Sequence, residues 1–185
     1  EMFEAHYGVA MAGAGLNTLN TRLDTDTIAY ILEHADTRLL ITDAAFGEAM
    51  KTALAQTENK KIKIIDIVDQ QAAESASGLR LGDIDYEHFL ADADPEFNWQ
   101  MPTDEWQAMC LNYTSGTSGR PKGVVYHHRG AYLMAMGTIP VWNMPMHPTY
   151  LYVVPLFHCN GWGHAWMMAI VAGTTVCCRK IVAED

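Results

Sequence analysis

Two short apolar runs, each next to a helical period, constrain the fold more than any other feature of this chain. Residues 38–42 form the first run and end at Asp43. Residues 61–68 form the second, alternating Lys with Ile before running apolar. Ahead of the first run, Ile28, Ile31, Leu32 and Ala35 recur at helical spacing behind Asp24, a residue suited to cap a helix. Residues 44–56, between the runs, read as a second helix. Strands joined through a helix cannot close as a tight hairpin, so they pair in parallel with helices on the sheet faces. The expected class is α/β, with parallel sheets flanked by helices.

The rest of the chain repeats that grammar. Residues 1–19 read as a helix rich in Ala and Gly, whose small side chains suit close packing on a sheet. Strands are expected at 107–113, 149–154 and 174–179, and helices at 127–139 and 162–172. Residues 70–100 differ: they are acidic, broken by Gly78, Gly82 and Pro95, and offer one short helix near 86–91. The expected organisation is a first α/β segment over 1–69, an acidic surface excursion over 70–105 and a second α/β segment over 106–185. The helical pattern already runs at Glu1, and nothing closes the last strand. We therefore expect the chain to be a portion of a longer protein.

Composition excludes several classes. The formal net charge is −10, which argues against a nucleic-acid surface built on clustered Lys and Arg. The four cysteines form no CxxC pair, and the neighbours Cys177 and Cys178 would point to opposite faces of a strand. A disulfide framework is not expected, and a reducing cytoplasm is. The longest apolar stretch, 165–178, falls short of the roughly 20 residues that span a bilayer. Oligomeric state is not legible.

Chemistry concentrates at Tyr113-Thr-Ser-Gly-Thr-Ser-Gly-Arg-Pro-Lys-Gly123, between an apolar strand and a helical pattern. Four hydroxyls, Thr114, Ser115, Thr117 and Ser118, interleave with Gly116 and Gly119. Glycine lets the backbone approach a ligand closely, its neighbours offer N–H and O–H donors, and Lys122 adds a point charge. Polyphosphate binding needs that combination. The spacing is not GxxxxGK[ST], since Pro121 precedes Lys122 and Gly123 follows it. Composition alone leaves an ordinary Ser/Gly-rich connector equally open.

The run closely resembles the phosphate-binding signature of the adenylate-forming superfamily, which includes acyl-CoA synthetases, luciferases and peptide-synthetase adenylation domains. Ser118 stands where Thr is more usual. The resemblance implies that Thr114, Ser115, Gly116, Thr117, Ser118, Gly119 and Lys122 hold the ATP phosphates. A second stretch, Val154-Pro-Leu-Phe-His-Cys-Asn-Gly-Trp162, resembles the family's next core motif. By that resemblance His158 is a catalytic and substrate-contacting residue near the acyl and adenylate groups, and Trp162 shapes the acyl pocket. The wording, with Tyr126-His127-His128-Arg129-Gly130 and Leu19-Asn20-Thr21-Arg22-Leu23, is most similar to the medium-chain and methylmercaptopropionate CoA-ligase branch.

The resemblance implies part of the large N-terminal domain of an acyl-CoA synthetase, with ATP, Mg²⁺ and coenzyme A as cofactors and a fatty or related acid as substrate. The family's Thr-Glu pair for Mg²⁺, its ribose-binding Asp and its C-terminal Lys find no match here. The chain alone is therefore expected not to catalyse adenylation. An aryl-CoA ligase, a peptide-synthetase adenylation domain or a non-catalytic nucleotide-binding remnant are the alternatives. Other tempting groups read more simply. His158, Cys159 and His164 lack a fourth zinc ligand nearby. His127-His128-Arg129 reads as a polar helix start. Trp142, Met144 and Met146 suit core packing at least as well as a pocket.

Overall fold

The computed structural model describes residues 1–114, 119–158, 161–179 and 181. The chain divides into two compact units. One comprises Thr21–Asn98 and Tyr113–Gly123; the other comprises Glu1–Asn20, Trp99–Asn112 and Val124–Asp185.

The first of these is a parallel α/β layer. Helix α2 (Thr25–His34) starts at Asp24, whose carboxylate accepts the Thr27 N–H at 2.8 Å and the Thr27 hydroxyl at 2.9 Å. Its apolar stripe, Ile28, Ala29, Ile31 and Leu32, is buried. Strand β1 (Leu39–Asp43) leads through a 3₁₀ turn (Ala44–Phe46) into α3 (Gly47–Gln56), which packs against α2. Strand β2 (Lys63–Ile67) pairs in parallel with β1, Leu39 opposite Lys63 and Asp43 opposite Ile67. Both strands were legible, because runs of Ile and Leu bounded by polar residues suit a buried parallel pair.

The acidic segment contributes more than surface. A short helix, α4 (Ala73–Ala76), precedes β3 (Ile84–Asp85), which adds a third parallel strand beside β2. Helix α5 (Tyr86–Ala91) follows, capped by Asp85 and with Tyr86 buried. The tether is Asp66 on β2, only 1% exposed. Its carboxylate accepts the Leu81 N–H at 3.0 Å and the Gly82 N–H at 2.8 Å. A buried carboxylate is tolerated because donors satisfy it, and those donors belong to the segment that carries β3.

In the other unit, α1 (Met2–Met11) is shorter than the sequence suggests. Gly13 and Gly15 follow its end, and Leu16 runs extended, bridging in parallel to Cys110. Its N–H donates to Met109 O at 3.0 Å, and its carbonyl accepts from Leu111 N–H at 2.9 Å. Strand β4 (Ala108–Tyr113) pairs with β5 (Gly123–His127). This corrects the expectation of strand, loop and helix in direct succession. The β-branched pair Val124-Val125 keeps the backbone extended, so the Gly-rich loop joins two paired strands. Helix α6 (His128–Val141) begins only after them.

Helix α6 packs on α7 (His164–Ile170), and β6 (Thr149–Tyr152) pairs in parallel with β7 (Thr174–Cys177). Two apolar groups hold this unit: Met109, Cys110, Ala131 and Trp162, and then Ala135, Met167, Met168 and Val171. Among the described residues, no helix is long and apolar enough to cross a membrane.

Replacing Asp66 with Ala removes the acceptor from the half-buried Leu81 and Gly82 N–H groups. We expect a loss of roughly 2–4 kcal/mol in urea unfolding of the protein. Asp66→Asn, which keeps one acceptor oxygen, should lose less.

Candidate functional site

The Gly-rich loop leaves β4 at Tyr113 and returns at Gly123. Of the residues predicted to bind phosphate, Ser115, Gly116, Thr117 and Ser118 lie outside the described residues. Thr114, Gly119 and Lys122 are described, and all three are exposed. The two ends are tied across the loop's neck. Thr114 N–H donates to Lys122 O at 3.0 Å, and Lys122 N–H donates to the Thr114 hydroxyl at 3.4 Å. Gly119 has φ +154°, a conformation that side-chain-bearing residues rarely adopt. This backbone requires a glycine at 119.

Helix α2 borders the same loop. The Tyr113 hydroxyl lies 2.7 Å from His34 Nδ1, and the two rings meet nearly edge-on. The Arg120 guanidinium stands 5.2 Å from the centre of the Tyr30 ring. An open cleft of about 800 Å³ lies here, lined in part by Tyr30, Glu33, His34, Gly119, Arg120 and Pro121. Burial, followed by the neighbouring Tyr30, pushes the Tyr113 phenol above its ordinary value and keeps it protonated. Sequence reading passed over Tyr30 and His34. Their signal was present, since they lie four residues apart and outside the apolar stripe of α2.

The second motif lies in the other unit. His158 is exposed and sits in a turn. Its N–H donates to Pro155 O at 3.0 Å, and its carbonyl accepts from Gly161 and Trp162 N–H, each at 2.8 Å. Cys159 and Asn160 lie outside the described residues. Gly163, with φ +84°, takes the left-handed conformation that swings the chain from this turn into α7. Trp162 is 4% exposed. It packs among His6, Tyr126 and Trp166 in tilted and edge-on contacts, with ring centres 4.8, 5.8 and 5.0 Å away. Its Nε1–H is buried and has no acceptor among the described residues. The motif therefore joins an exposed histidine to a buried tryptophan that packs in an aromatic cluster.

The remaining candidates take modest roles. His127 caps α6 through Nδ1, which accepts the Gly130 N–H at 2.9 Å, and Arg129 pairs with Glu105 at 2.6 Å. His164 is buried, lies 3.0 Å from the Tyr150 hydroxyl and packs beside Trp142. Met144 packs on the second apolar group, while Met146 is exposed. Burial pushes the Cys110 thiol far up, so it carries no thiolate at neutral pH. Cys110, Cys177 and Cys178 are free thiols.

With this geometry established, comparison with known proteins settles the family. The model of the AMP-binding enzyme family matches residues 1–185. The chain belongs to that family. An acetate/butyrate–CoA ligase of Arabidopsis thaliana, described as peroxisomal, is 42% identical over 192 residues. An acetate–CoA ligase of Humulus lupulus is also 42% identical, and a trans-cinnamate:CoA ligase of Petunia hybrida is 40% identical. These alignments cover 99–100% of this chain but 34% of each relative, so the chain spans about a third of their length.

Among solved structures, an O-succinylbenzoate coenzyme A synthetase of Bacillus subtilis in complex with ATP and magnesium ion matches with a TM-score of 0.76 at 23% identity. That match covers 100% of this chain and 33% of the other. The same synthetase with its acyl-adenylate intermediate matches with a TM-score of 0.75 at 23% identity, over 100% of this chain and 42% of the other. At these identities the likeness establishes the fold alone, an α/β architecture shared with part of those synthetase chains.

The aromatic cluster generates a pH prediction. Burial holds the His6 imidazole below its ordinary value of 6.5, and burial lowers His164 too. The folded state therefore favours both neutral rings. Their contribution is complete above the unfolded value and fades as pH falls below it. The thermal midpoint should drop between about pH 7.5 and about pH 5.5. His6→Asn should lower the midpoint at the upper pH and flatten the slope.

Proposed function

We propose that the protein carrying this chain is an AMP-forming acyl-CoA synthetase, and that the 114–122 loop binds the phosphates of its ATP. The observation that carries this reading is the loop itself. It combines hydroxyls, glycine and Lys122, and it is pinned at the neck by the Thr114–Lys122 contacts. The CoA ligases among its relatives supply the reaction class.

A carboxylate oxygen of the substrate attacks the α-phosphorus of ATP. The bond from that phosphorus to the bridging oxygen breaks, and pyrophosphate leaves with an acyl-adenylate remaining. The thiolate sulfur of coenzyme A then attacks the acyl carbon and expels AMP. The first step brings anions together, so positive charge and donors must gather on the phosphates. In this proposal Thr114, Ser115, Gly116, Thr117, Ser118 and Gly119 supply backbone and hydroxyl donors, and Lys122 supplies the cation. Mg²⁺ belongs to the reading as the counter-ion of the polyphosphate. The described residues hold no group of three or more His, Cys, Asp or Glu that could cage it, so no step is assigned to a metal ligand of this chain.

His158, exposed in its turn, is proposed to contact the acyl and adenylate groups, and Trp162 to form a wall of the acyl pocket. The acids named for the relatives run from acetate and butyrate to trans-cinnamate. We assign a fatty or related acid, with the aryl acid as the second reading because the Petunia ligase is 40% identical. The free thiols fit a reducing compartment such as the cytoplasm. The 185 residues alone are proposed to be insufficient for adenylation.

Carboxylate-dependent ATP–pyrophosphate exchange by the full-length protein tests the reading, with acetate, butyrate, 2-methylpropanoate and cinnamate as substrates. Exchange with one or more acids is expected, and Lys122→Ala should reduce it by about 10²-fold. Trp162→Ala should change the ranking of the acids by about 10-fold or more, as a misfit methylene does. Mg-ATP binding without exchange for any acid would replace the ligase with a non-catalytic nucleotide-binding protein. Exchange by the 185-residue chain alone would refute its insufficiency.

A further inference from the structure

Both shoulders of the phosphate loop rest on one ridge of α2. On the entering side, Tyr113 reaches His34 through the 2.7 Å contact of its hydroxyl with Nδ1. On the leaving side, Arg120 lies over the Tyr30 ring. Tyr30 and His34 touch each other, with ring centres 5.3 Å apart and planes 32° apart. Four residues along a helix is one turn, so a single pair of side chains meets both ends of the loop.

The fold does not need this arrangement for its core. Ile28, Ala29, Ile31 and Leu32 fill the buried face of α2, while His34 is exposed and Tyr30 half-buried. The ridge is itself held fast. Asp24 caps the helix, and Asp26 accepts a hydrogen bond from Gln56 of α3 at 2.8 Å. A fixed platform that touches a Gly-rich loop at both shoulders, and does little else, is suited to limiting where the loop can go. A loop with fewer accessible conformations loses less entropy when it orders around an anion.

We propose that Tyr30 and His34 are positioning residues for the phosphate loop, acting through Arg120 and Tyr113 to hold its ends ready for the triphosphate of ATP. The proposal rests on the phosphate-binding reading of the loop given above. Neither residue touches the substrate in this assignment. Their loss should therefore raise the KM for Mg-ATP and leave kcat and the KM for the carboxylate largely unchanged.

The test uses the full-length protein with His34→Ala, His34→Gln, Tyr113→Phe and Tyr30→Leu. Trypsin cuts after Lys122 but not after Arg120, because Pro121 follows it. The initial rate of the cut between Lys122 and Gly123 thus reports opening of the loop's leaving side without any need for catalysis. His34→Ala, Tyr113→Phe and Tyr30→Leu should each speed that cut about three- to tenfold, the scale of one lost hydrogen bond or cation–π contact. Cleavage elsewhere should not change. Each should raise the KM for Mg-ATP by a similar factor. His34→Gln, which keeps a polar partner for the Tyr113 hydroxyl, should restore most of both.

An unchanged cut after Lys122 in the three disruptive variants would overturn the anchoring. A faster cut with an unchanged KM for Mg-ATP would overturn the positioning role. Absence of exchange in the unsubstituted protein would strike the proposed function instead, and the cleavage comparison would still decide whether α2 holds the loop.

Discussion

Parallel pairing is the constraint from which the rest of this chain follows. Strand β1 lies beside β2, β2 beside β3, and β6 beside β7, all in parallel. A parallel neighbour cannot be reached by a tight turn, so each pair requires a crossover, and the crossover needs an apolar face to lie on the sheet. That requirement explains α3 between β1 and β2, and α7 between β6 and β7. It also explains why the short strand β3 is fixed by a side chain. Its ladder with β2 spans only Ile65–Ile84 and Asp66–Asp85, too little to hold the segment that carries it. Asp66 makes up the difference by accepting two N–H groups ahead of β3.

The exception to the parallel rule is where the proposed phosphate site lies. Strands β4 and β5 are neighbours joined by only nine residues, too few for a parallel crossover. The loop therefore emerges from a strand pair and is closed at its neck by the Thr114–Lys122 contacts. In many α/β proteins a phosphate loop runs straight into a helix, whose first N–H groups complete the anion site. Here β5 intervenes, and α6 starts only at His128. In the proposed phosphate-binding role the loop must therefore find its donors in its own hydroxyls, amides and lysine. Its unusual density of Ser and Thr answers that demand.

Much of this was legible in sequence, and the reasons are specific. The Asp24 cap and the stripe Ile28, Ile31, Leu32 announced α2 because capping and helical periodicity are local signals. The bounds of α5 could be read for the same reason, with Asp85 ahead of Tyr86. The terminus of α1 was misread, since an Ala-rich stretch favours helix until Gly13 and Gly15 weaken it, and Leu16 is then claimed by Met109 and Leu111. Strand β5 was missed because Val124 and Val125 are exposed and show no alternation. Strand β3, two residues long, carries no period at all. At the candidate site the loop's composition was visible, but its partners were not. The contact of His34 with Tyr113 joins residues 79 apart, and only the folded chain brings them together.

If the proposed phosphate site is right, this acidic chain must rely on local arrangement rather than on its overall field. With a net charge of −10, long-range attraction of a nucleotide to the chain is unfavourable, and screening limits such effects to about 8 Å at physiological salt. Lys122 and Arg120 are the cations at the loop, and Arg120 is engaged with Tyr30. Most of the attraction must then come from oriented neutral donors, which act only over short distances and only when correctly aimed. Neutral donors on a wandering loop would lose that advantage to entropy. In the proposed arrangement, with the loop tied at its neck and its ends in contact with Tyr30 and His34, the same donors would retain more of it. In this proposal composition and anchoring are two parts of one solution, because short-range donors on an acidic chain have to be well positioned.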